Sequence, residues 1–182
     1  MKKLVVAFLL FFWLNCLVYS QNTGLYGMAD KSIPELSQFE YYRGLWRVQM
    51  EIKQKDGSFK KMEGESTIRG MFLKDHKTFQ SQYSTKKGAF TTDIRTYNTE
   101  TKEWKALFLN ARAQRWHQFS SKIIDGKMTT IVKGGYSGNE EYDVKAIDII
   151  ISNNQYQRNF YYSRDNMKTW KLIYKMMLNK IN

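Results

Sequence analysis

The chain has few of the residues that carry covalent or metal chemistry. It contains one cysteine, one proline and two histidines in 182 residues. A zinc site needs three or four ligands, and so few cysteines and histidines argue against such a site. The sequence also contains neither a phosphate-binding loop nor a dinucleotide-binding fingerprint. The sequence therefore predicts no metal site, no cofactor and no enzymatic activity, because no catalytic constellation is recognisable.

The single cysteine, Cys16, lies in a segment typical of an export signal. Two lysines are followed by an apolar run over residues 4–14 and then by Val18-Tyr19-Ser20, which are small residues or residues tolerated before a cleavage site. This pattern predicts a signal peptide over residues 1–20, cleaved near Ser20, and export to the periplasm or the cell exterior. A lipoprotein attached through Cys16 is the less favoured alternative, because the bulky Asn15 precedes the cysteine.

The mature chain is predicted to consist of a flexible leader over residues 21–32 and one domain over residues 33–182. No second apolar run is long enough to span a bilayer, so no transmembrane segment is expected after cleavage. Without Cys16 there is no disulfide, and burial of a hydrophobic core must supply the stability.

The chain is strongly basic, with a formal net charge of +12 and a pI of about 9.6. Such a charge favours anionic partners. The lysines and arginines are nevertheless scattered along the sequence near predicted turns, whereas nucleic-acid-binding proteins concentrate them on one face. We therefore expect no nucleic acid partner. The main interpretation of the positive charge is that these side chains are simply exposed to solvent. The alternative is that they bind an anionic surface of the cell envelope.

Strict alternation marks the first strand of the domain. Trp46, Val48, Met50 and Ile52 share one face, and polar residues share the other, which is the pattern of a strand with one buried face. Similar segments follow, joined by short turns such as the two Asp-Gly pairs. The predicted strands cover residues 44–53, 59–68, 72–83, 89–97, 104–109, 115–124, 128–133, 143–151, 155–163 and 169–178.

Short sequential connections imply antiparallel neighbours, and about ten strands in one sheet must curl. We therefore predict an all-β fold, an antiparallel up-and-down barrel of about ten strands, with a two-sheet sandwich as the structural alternative. A short helix should precede the barrel. Pro34 fits its first turn, Ser32 is the expected cap, and Leu36, Phe39 and Tyr42 share its buried face.

Three short motifs resemble those of a known family. They are Gly44-Leu45-Trp46 after the helix, Arg95-Thr96-Tyr97-Asn98, and the segment from Ser163 to Trp170. In this order the motifs resemble the lipocalin/calycin barrels, and more narrowly the uncharacterised lipocalin-like domains of bacterial exported proteins. The resemblance implies that an arginine packs across Trp46 at a closed barrel end, and Arg158 is the best candidate for it.

The segment from Ser163 to Trp170 also resembles the Asp-box turn of sialidase-type propellers, which repeats once per blade. Here it occurs once. We therefore expect Asp165 and the neighbouring hydroxyls to stabilise a hairpin and Trp170 to pack inside.

The predicted barrel interior is apolar and aromatic with a few polar groups, which is typical of small-molecule pockets. We predict a small hydrophobic or amphiphilic ligand there, and the alternative is an interior filled by its own side chains. We also expect Ile94, Val132, Phe160 and Met176 to face inward. The candidate ligand-binding residues are Met50, Met62, Ser66, Phe79, Tyr83, Phe108, His117, Tyr156, Arg158 and Tyr174.

His117 supports a weaker alternative function. In the predicted strand over residues 115–124, His117 lies on the same face as Arg115 and Phe119, and Trp116 lies on the opposite face. A histidine in a barrel interior can act as a base or ligate haem iron. The other histidine, His76, lies in a polar segment and is expected to be exposed.

Overall fold

The computed structural model describes residues 24–88, 90–137 and 140–181. The predicted signal peptide and Cys16 lie outside these residues. In the described part of the chain, no helix is long and apolar enough to cross a membrane.

The described residues form one antiparallel sheet that closes on itself. Strand β1 pairs with the last strand from Leu45–Ile181 to Ile52–Tyr174, and every other neighbour in the closed sheet is also antiparallel. The short β2 pairs only with the end of β1, so ten strands form the barrel wall. This closed barrel confirms the predicted fold class and excludes the sandwich. The strands are β1 (Gly44–Lys53), β2 (Phe59–Lys61), β3 (Ser66–Phe72), β4 (Thr78–Thr85), β5 (Phe90–Asn98), β6 (Glu103–Asn110), β7 (Arg115–Ile124), β8 (Lys127–Ser137), β9 (Glu140–Ser152), β10 (Gln155–Ser163) and β11 (Lys171–Ile181).

Two glycines that lie between predicted strands belong to strands of the structure. Gly70 separates the predicted strands 59–68 and 72–83, but it lies inside β3, and the turn comes at residues 74–77. Gly134 follows the predicted strand 128–133, but it lies inside β8 at a register shift, with a positive φ of 65°. Glycine in a strand interior often marks a bulge or the close approach of another backbone, and each position shows one of these causes.

A 3₁₀ helix over Pro34–Tyr42 covers one end of the barrel. It buries Leu36, Phe39 and Tyr42, the face that the sequence predicts. The expected cap is wrong, since Ile33 occupies the N-cap position and Ser32 instead donates its hydroxyl and amide hydrogens to Asp30.

Two buried indoles attach this helix to the barrel. Trp46 of β1 donates its Nε1–H to the Tyr42 carbonyl at 2.9 Å, and Trp104 of β6 donates to Gln38 Oε1 at 3.1 Å. Both indoles are fully buried, and Trp104 meets the Phe39 ring edge-on at 4.7 Å. Because each indole supplies both apolar area and a satisfied hydrogen bond, the helix end of the barrel is a solid aromatic core.

The partner expected for Trp46 is wrong. The Trp46 ring packs against Tyr156 at 5.0 Å, and the Lys180 ammonium lies 5.5 Å from the Trp46 ring centroid. Arg158 lies instead 4.7 Å from the ring of Tyr42. The barrel end beside Trp46 is thus closed by an aromatic contact and a lysine, and Arg158 lies inside the barrel beside Tyr42.

The residues before the helix also pack on the barrel. The amide of Phe72 donates to the Tyr26 carbonyl, and the amide of Asp30 donates to the His76 carbonyl. Arg43 donates to the Gly27 carbonyl at 2.6 Å. Part of the segment expected to be a loose leader is therefore hydrogen-bonded to the β3–β4 hairpin and to the residue that follows the helix.

The β10–β11 connection is built around Asp165. Its carboxylate accepts hydrogen bonds from Ser163 and from the amide and hydroxyl of Thr169, and these bonds hold the pKa of Asp165 well below its usual range. Trp170 does not pack inside. It lies against the outer face, with the Lys145 ammonium 4.6 Å from its ring.

Replacing Gly70 by valine tests the close approach of helix and barrel. A Cβ atom at this position would lie 2.4 Å from the Tyr42 carbonyl oxygen and 2.9 Å from the Phe79 ring. Since the oxygen belongs to backbone, the helix must shift, and we expect the free energy of unfolding to fall by about 2–3 kcal/mol in urea titrations. The control is Gly24→Val, at an exposed position where nothing lies within 4 Å of the added Cβ. A loss no larger than that of Gly24→Val would contradict this packing.

Candidate functional site

Above the aromatic core, the barrel encloses a cavity of about 430 Å³. Ligand pockets in proteins typically occupy roughly 300–1,000 Å³. The cavity walls are mostly apolar and aromatic, and the polar side chains lie at the floor and near the open end. Its lining includes Tyr42, Met50, Ile68, Ser81, Tyr83, Thr91, Asp93, Arg95, Phe108, Asn110, Arg115, His117, Phe119, Thr130, Val132, Gly135, Tyr142, Val144, Ala146, Arg158, Phe160, Tyr162, Tyr174 and Met176.

Six of the ten candidate ligand-binding residues lie in this lining: Met50, Tyr83, Phe108, His117, Arg158 and Tyr174. Phe79 and Tyr156 are fully buried below the cavity, in the aromatic core. Ser66 is buried, with its hydroxyl 3.4 Å from the Val48 carbonyl. Met62 is wrong as a lining residue. It is 50% exposed, because the strand expected over residues 59–68 is interrupted at residues 62–65.

The floor of the cavity holds two buried ion pairs that the sequence analysis missed. Arg95 donates from Nε and Nη2 to the two oxygens of Asp93, at 2.6 and 3.0 Å. Arg158 donates in the same bidentate manner to Asp148, at 2.5 and 2.7 Å. All four residues are buried. Bidentate pairing is the strongest arrangement of guanidinium and carboxylate, and it allows both charges to stay inside the barrel.

Aromatic rings enclose the two guanidinium groups. The Arg95 guanidinium lies 4.8 Å from the Phe39 ring and 5.2 Å from the Phe119 ring. The Tyr42 ring also lies beside both arginines. Burial by itself lowers the pKa of Arg158, but the Asp148 charge, the hydrogen bonds to Asp148 and the neighbouring Tyr42 and Tyr156 together more than offset it and raise the pKa well above its ordinary value. Both arginines are therefore cations at every physiological pH.

The second ion pair connects the floor to the helix. Tyr41 of the helix donates its hydroxyl hydrogen to Asp148 Oδ2, and Nη1 of Arg158 lies 3.4 Å from the Tyr42 hydroxyl. Burial, with the Asp148 charge, raises the pKa of Tyr41 well above its ordinary value, so the phenol stays protonated and donates. The helix therefore fixes the geometry of the floor as well as closing the barrel.

One donor at the floor has no acceptor. Nη1 of Arg95 is buried and has no hydrogen-bond partner among the described residues. A buried donor without an acceptor costs about 1–3 kcal/mol. The Asp93 carboxylate is already held by Nε and Nη2 and by the Ser81 hydroxyl at 2.7 Å. The floor thus has more donor capacity than its own carboxylates use.

The wall above the floor is made of stacked aromatic rings. Phe160 and Tyr174 stack at 4.1 Å, and so do Tyr142 and Tyr162. Burial raises the pKa of Tyr162 and Tyr174, so their hydroxyls remain neutral. This wall offers flat apolar surface with a few hydroxyl groups, and it suits the apolar body of an elongated molecule.

Arg115 and His117 lie nearer the open end, on the inward face of β7. The His117 ring lies 6.3 Å from the Phe108 ring, and both residues line the cavity. No group of three or more His, Cys, Asp or Glu side chains within residues 24–88, 90–137 and 140–181 is arranged to hold a metal ion. A role for His117 as haem ligand or base stays an untested prediction.

Comparison with known proteins adds one informative likeness. No family model and no curated protein matches the chain. Among solved structures, an S-type phycobiliprotein lyase from Guillardia theta matches with a TM-score of 0.54 and 10% identity, over 80% of this chain and 92% of the lyase. A protein of unknown function from the DUF3598 family, from Nostoc punctiforme, covers 81% of this chain and 99% of its own length at 10% identity, but its TM-score of 0.26 supports no argument.

The lyase likeness shows a shared lipocalin-like barrel fold, which is compatible with binding a small molecule. It also corrects one prediction. The expectation that the chain is not an enzyme is contradicted, because a protein named as a lyase has this fold. The absence of a recognisable catalytic motif in the sequence was too weak a basis for that expectation.

Proposed function

We propose that this protein is an exported barrel that binds one amphiphilic small molecule in its interior. The apolar body of the ligand lies along the stacked aromatic wall, and an acidic group, a carboxylate or a phosphate, lies at the floor between Arg95 and Arg158. The observation that carries the proposal is a cavity of about 430 Å³ whose floor contains two buried, cationic guanidinium groups.

The electrostatics of the floor favour an acceptor group. Each arginine is neutralised by its own carboxylate, so the two pairs contribute no net charge. Their pairing uses Nε and Nη2 of each guanidinium, which leaves the Nη1 groups for other acceptors. One Nη1 meets a tyrosine hydroxyl at 3.4 Å, and the other has no partner among the described residues. An incoming carboxylate would supply acceptors where the protein lacks them.

The composition of the wall supports the apolar half of the ligand. Met50 and Met176 line the cavity next to the stacked rings, and methionine side chains adapt to ligands of varied shape. Val132, Val144 and Ala146 on β8 and β9 are small residues that leave the space open. The proposal of export rests on the signal-like pattern of residues 1–20 alone.

Filling the cavity should abolish binding. We expect Val132→Trp, which places an indole in the lining, to reduce the affinity for dodecanoate by at least about 100-fold in calorimetric titration, because the ligand and the indole need the same space. The matched control is Ile131→Trp. Ile131 neighbours Val132 in sequence but pairs with Ser120 and Lys145 on the outer face. We expect the control to bind one dodecanoate with wild-type affinity. Equal affinities for the two variants, or no binding by the wild type, would contradict the proposal.

A further inference from the structure

The outer wall carries an apolar patch near the open end of the barrel. Ile94 on β5 pairs with Leu107 on β6, and Leu109, two residues further along β6, pairs with Trp116 on β7. Trp116 is 63% exposed, Ile94 42% and Leu107 40%. Because cross-strand neighbours and residues two apart share one face, these four side chains form a continuous surface, which we call the outer patch.

The outer patch ends at the β6–β7 hairpin. Trp116 is the second residue of β7, and it pairs with Leu109 near the end of β6. The hairpin that joins these two strand ends carries the exposed Arg112. Trp116 therefore lies close to a cation near the open end of the barrel.

The charge around the outer patch is mostly positive. Residues 103–124, which form β6, β7 and the hairpin between them, contain four basic residues and one acidic residue, Glu103. Arg115 faces the cavity, so the outer side of this hairpin carries three basic residues and Glu103. Arg112 is exposed at the hairpin tip, and Lys105 continues the outward face of β6 next to Leu107. The Lys105 ammonium bonds to Glu103 at 2.6 Å, and this is the acidic residue nearest in sequence. Apolar side chains flanked by cations complement a surface that is apolar inside and anionic outside.

We propose that the outer patch docks this protein on an anionic phospholipid bilayer. Trp116 and the adjacent aliphatic residues enter the headgroup region, where tryptophan is favoured, and Arg112 and Lys105 face the lipid phosphates. The other tryptophans in the described part of the chain do not offer this, since Trp46 and Trp104 are fully buried and Trp170 is half-buried under Lys145.

A second copy of the chain suits the outer patch less well. A symmetric dimer would place each patch on its equivalent and bring Arg112 and Lys105 close to the same cations of the other copy. Like charges facing one another across an interface oppose association. A bilayer containing acidic lipids instead supplies the opposite charge over an unlimited area. Docking does not depend on a ligand in the cavity, so it can be tested on ligand-free protein.

Co-sedimentation with vesicles tests the docking surface. We expect ligand-free protein to bind vesicles of equal phosphatidylglycerol and phosphatidylcholine, and to bind pure phosphatidylcholine at least about tenfold more weakly. Trp116→Gln should weaken binding to the acidic vesicles by about tenfold and Arg112→Gln by about fivefold. The matched control is Ile150→Gln, an aliphatic residue that is 58% exposed at the β9–β10 hairpin on the helix-covered end. It should change binding by less than about twofold.

Three results would overturn docking through the outer patch. One is binding that is the same for Trp116→Gln, Ile150→Gln and the wild type, which would indicate attraction by net charge alone. Another is no binding to acidic vesicles. The third is a wild-type dimer in sedimentation velocity that Trp116→Gln dissociates, which would assign the patch to self-association. Loss of dodecanoate binding in Val132→Trp with vesicle binding intact would show that the two proposals stand separately.

Discussion

Replacing Asp148 by asparagine is expected to lower the free energy of unfolding by about 3–5 kcal/mol, the usual cost of leaving a buried charge without its partner. The carboxylate of Asp148 accepts both hydrogen bonds from Arg158 and one from Tyr41 of the helix. Its loss leaves a guanidinium, buried against the Tyr42 ring, with no counter-charge of its own. Urea titration followed by far-ultraviolet circular dichroism measures the effect.

Two further variants separate the cost of a broken pair from the value of the pair itself. Removing both charges in Asp148→Leu/Arg158→Met should recover stability relative to Asp148→Asn, since a buried pair replaced by apolar residues is often near neutral. The control is Glu140→Gln, whose carboxylate pairs with Arg164 at the exposed end of the sheet. Exposed pairs contribute about 0–1 kcal/mol. An Asp148→Asn loss as small as that of the control would contradict a buried, functional floor.

Removing the other buried pair should abolish the preference of the cavity for an acid. We expect the wild type to bind dodecanoate at least about tenfold more tightly than dodecanol, because a hydrogen bond to a charged group contributes about 1.5–3 kcal/mol. In Asp93→Leu/Arg95→Met the two affinities should become similar. Asp93 and Arg95 carry opposite charges, so the double variant keeps the net charge of the floor while it removes the Arg95 donors together with the Asp93 carboxylate that they bind. Fluorescence competition titrations measure both ligands on both proteins.

The control for this prediction is the cation nearer the open end. Arg115→Met removes a positive charge from the cavity lining without touching the floor. We expect it to leave the preference for dodecanoate unchanged. A preference that survives in the Asp93→Leu/Arg95→Met variant and disappears in Arg115→Met would place the acidic group at the open end and contradict the proposed orientation.

The barrel could be predicted because its signals are local. Alternating apolar residues, Asp-Gly turns and short connections recur along the sequence, and a long antiparallel sheet has few ways to hide its edges. The errors arose where a distant element decides the local structure. Gly70 is a residue type common in turns, but here it lacks a side chain because the end of the helix packs against β3 at this position. The sequence around Gly70 does not indicate this contact.

The candidate site was predicted in part, for a similar reason. Placing Ile94 inward shifted β5 by one residue, and such a shift exchanges the two faces of a strand. It moved Asp93 and Arg95 to the outside, where charged residues are usually expected. The sequence does not reveal the role of Asp148, because that role depends on its position directly opposite Arg158 in the paired strands. The alternation in β7 does predict its inward face, since Arg115, His117 and Phe119 all line the cavity.

A crystal structure of the protein with bound dodecanoate tests the central claim most directly. The account predicts one molecule in the cavity, with a carboxylate oxygen within about 3.2 Å of a guanidinium nitrogen of Arg95 or Arg158, and with the alkyl chain against the stacked rings of Phe160 and Tyr174. A carboxylate beside Arg115 and His117 with the chain reaching down to the floor would contradict the account, as would a cavity that stays empty at saturating dodecanoate.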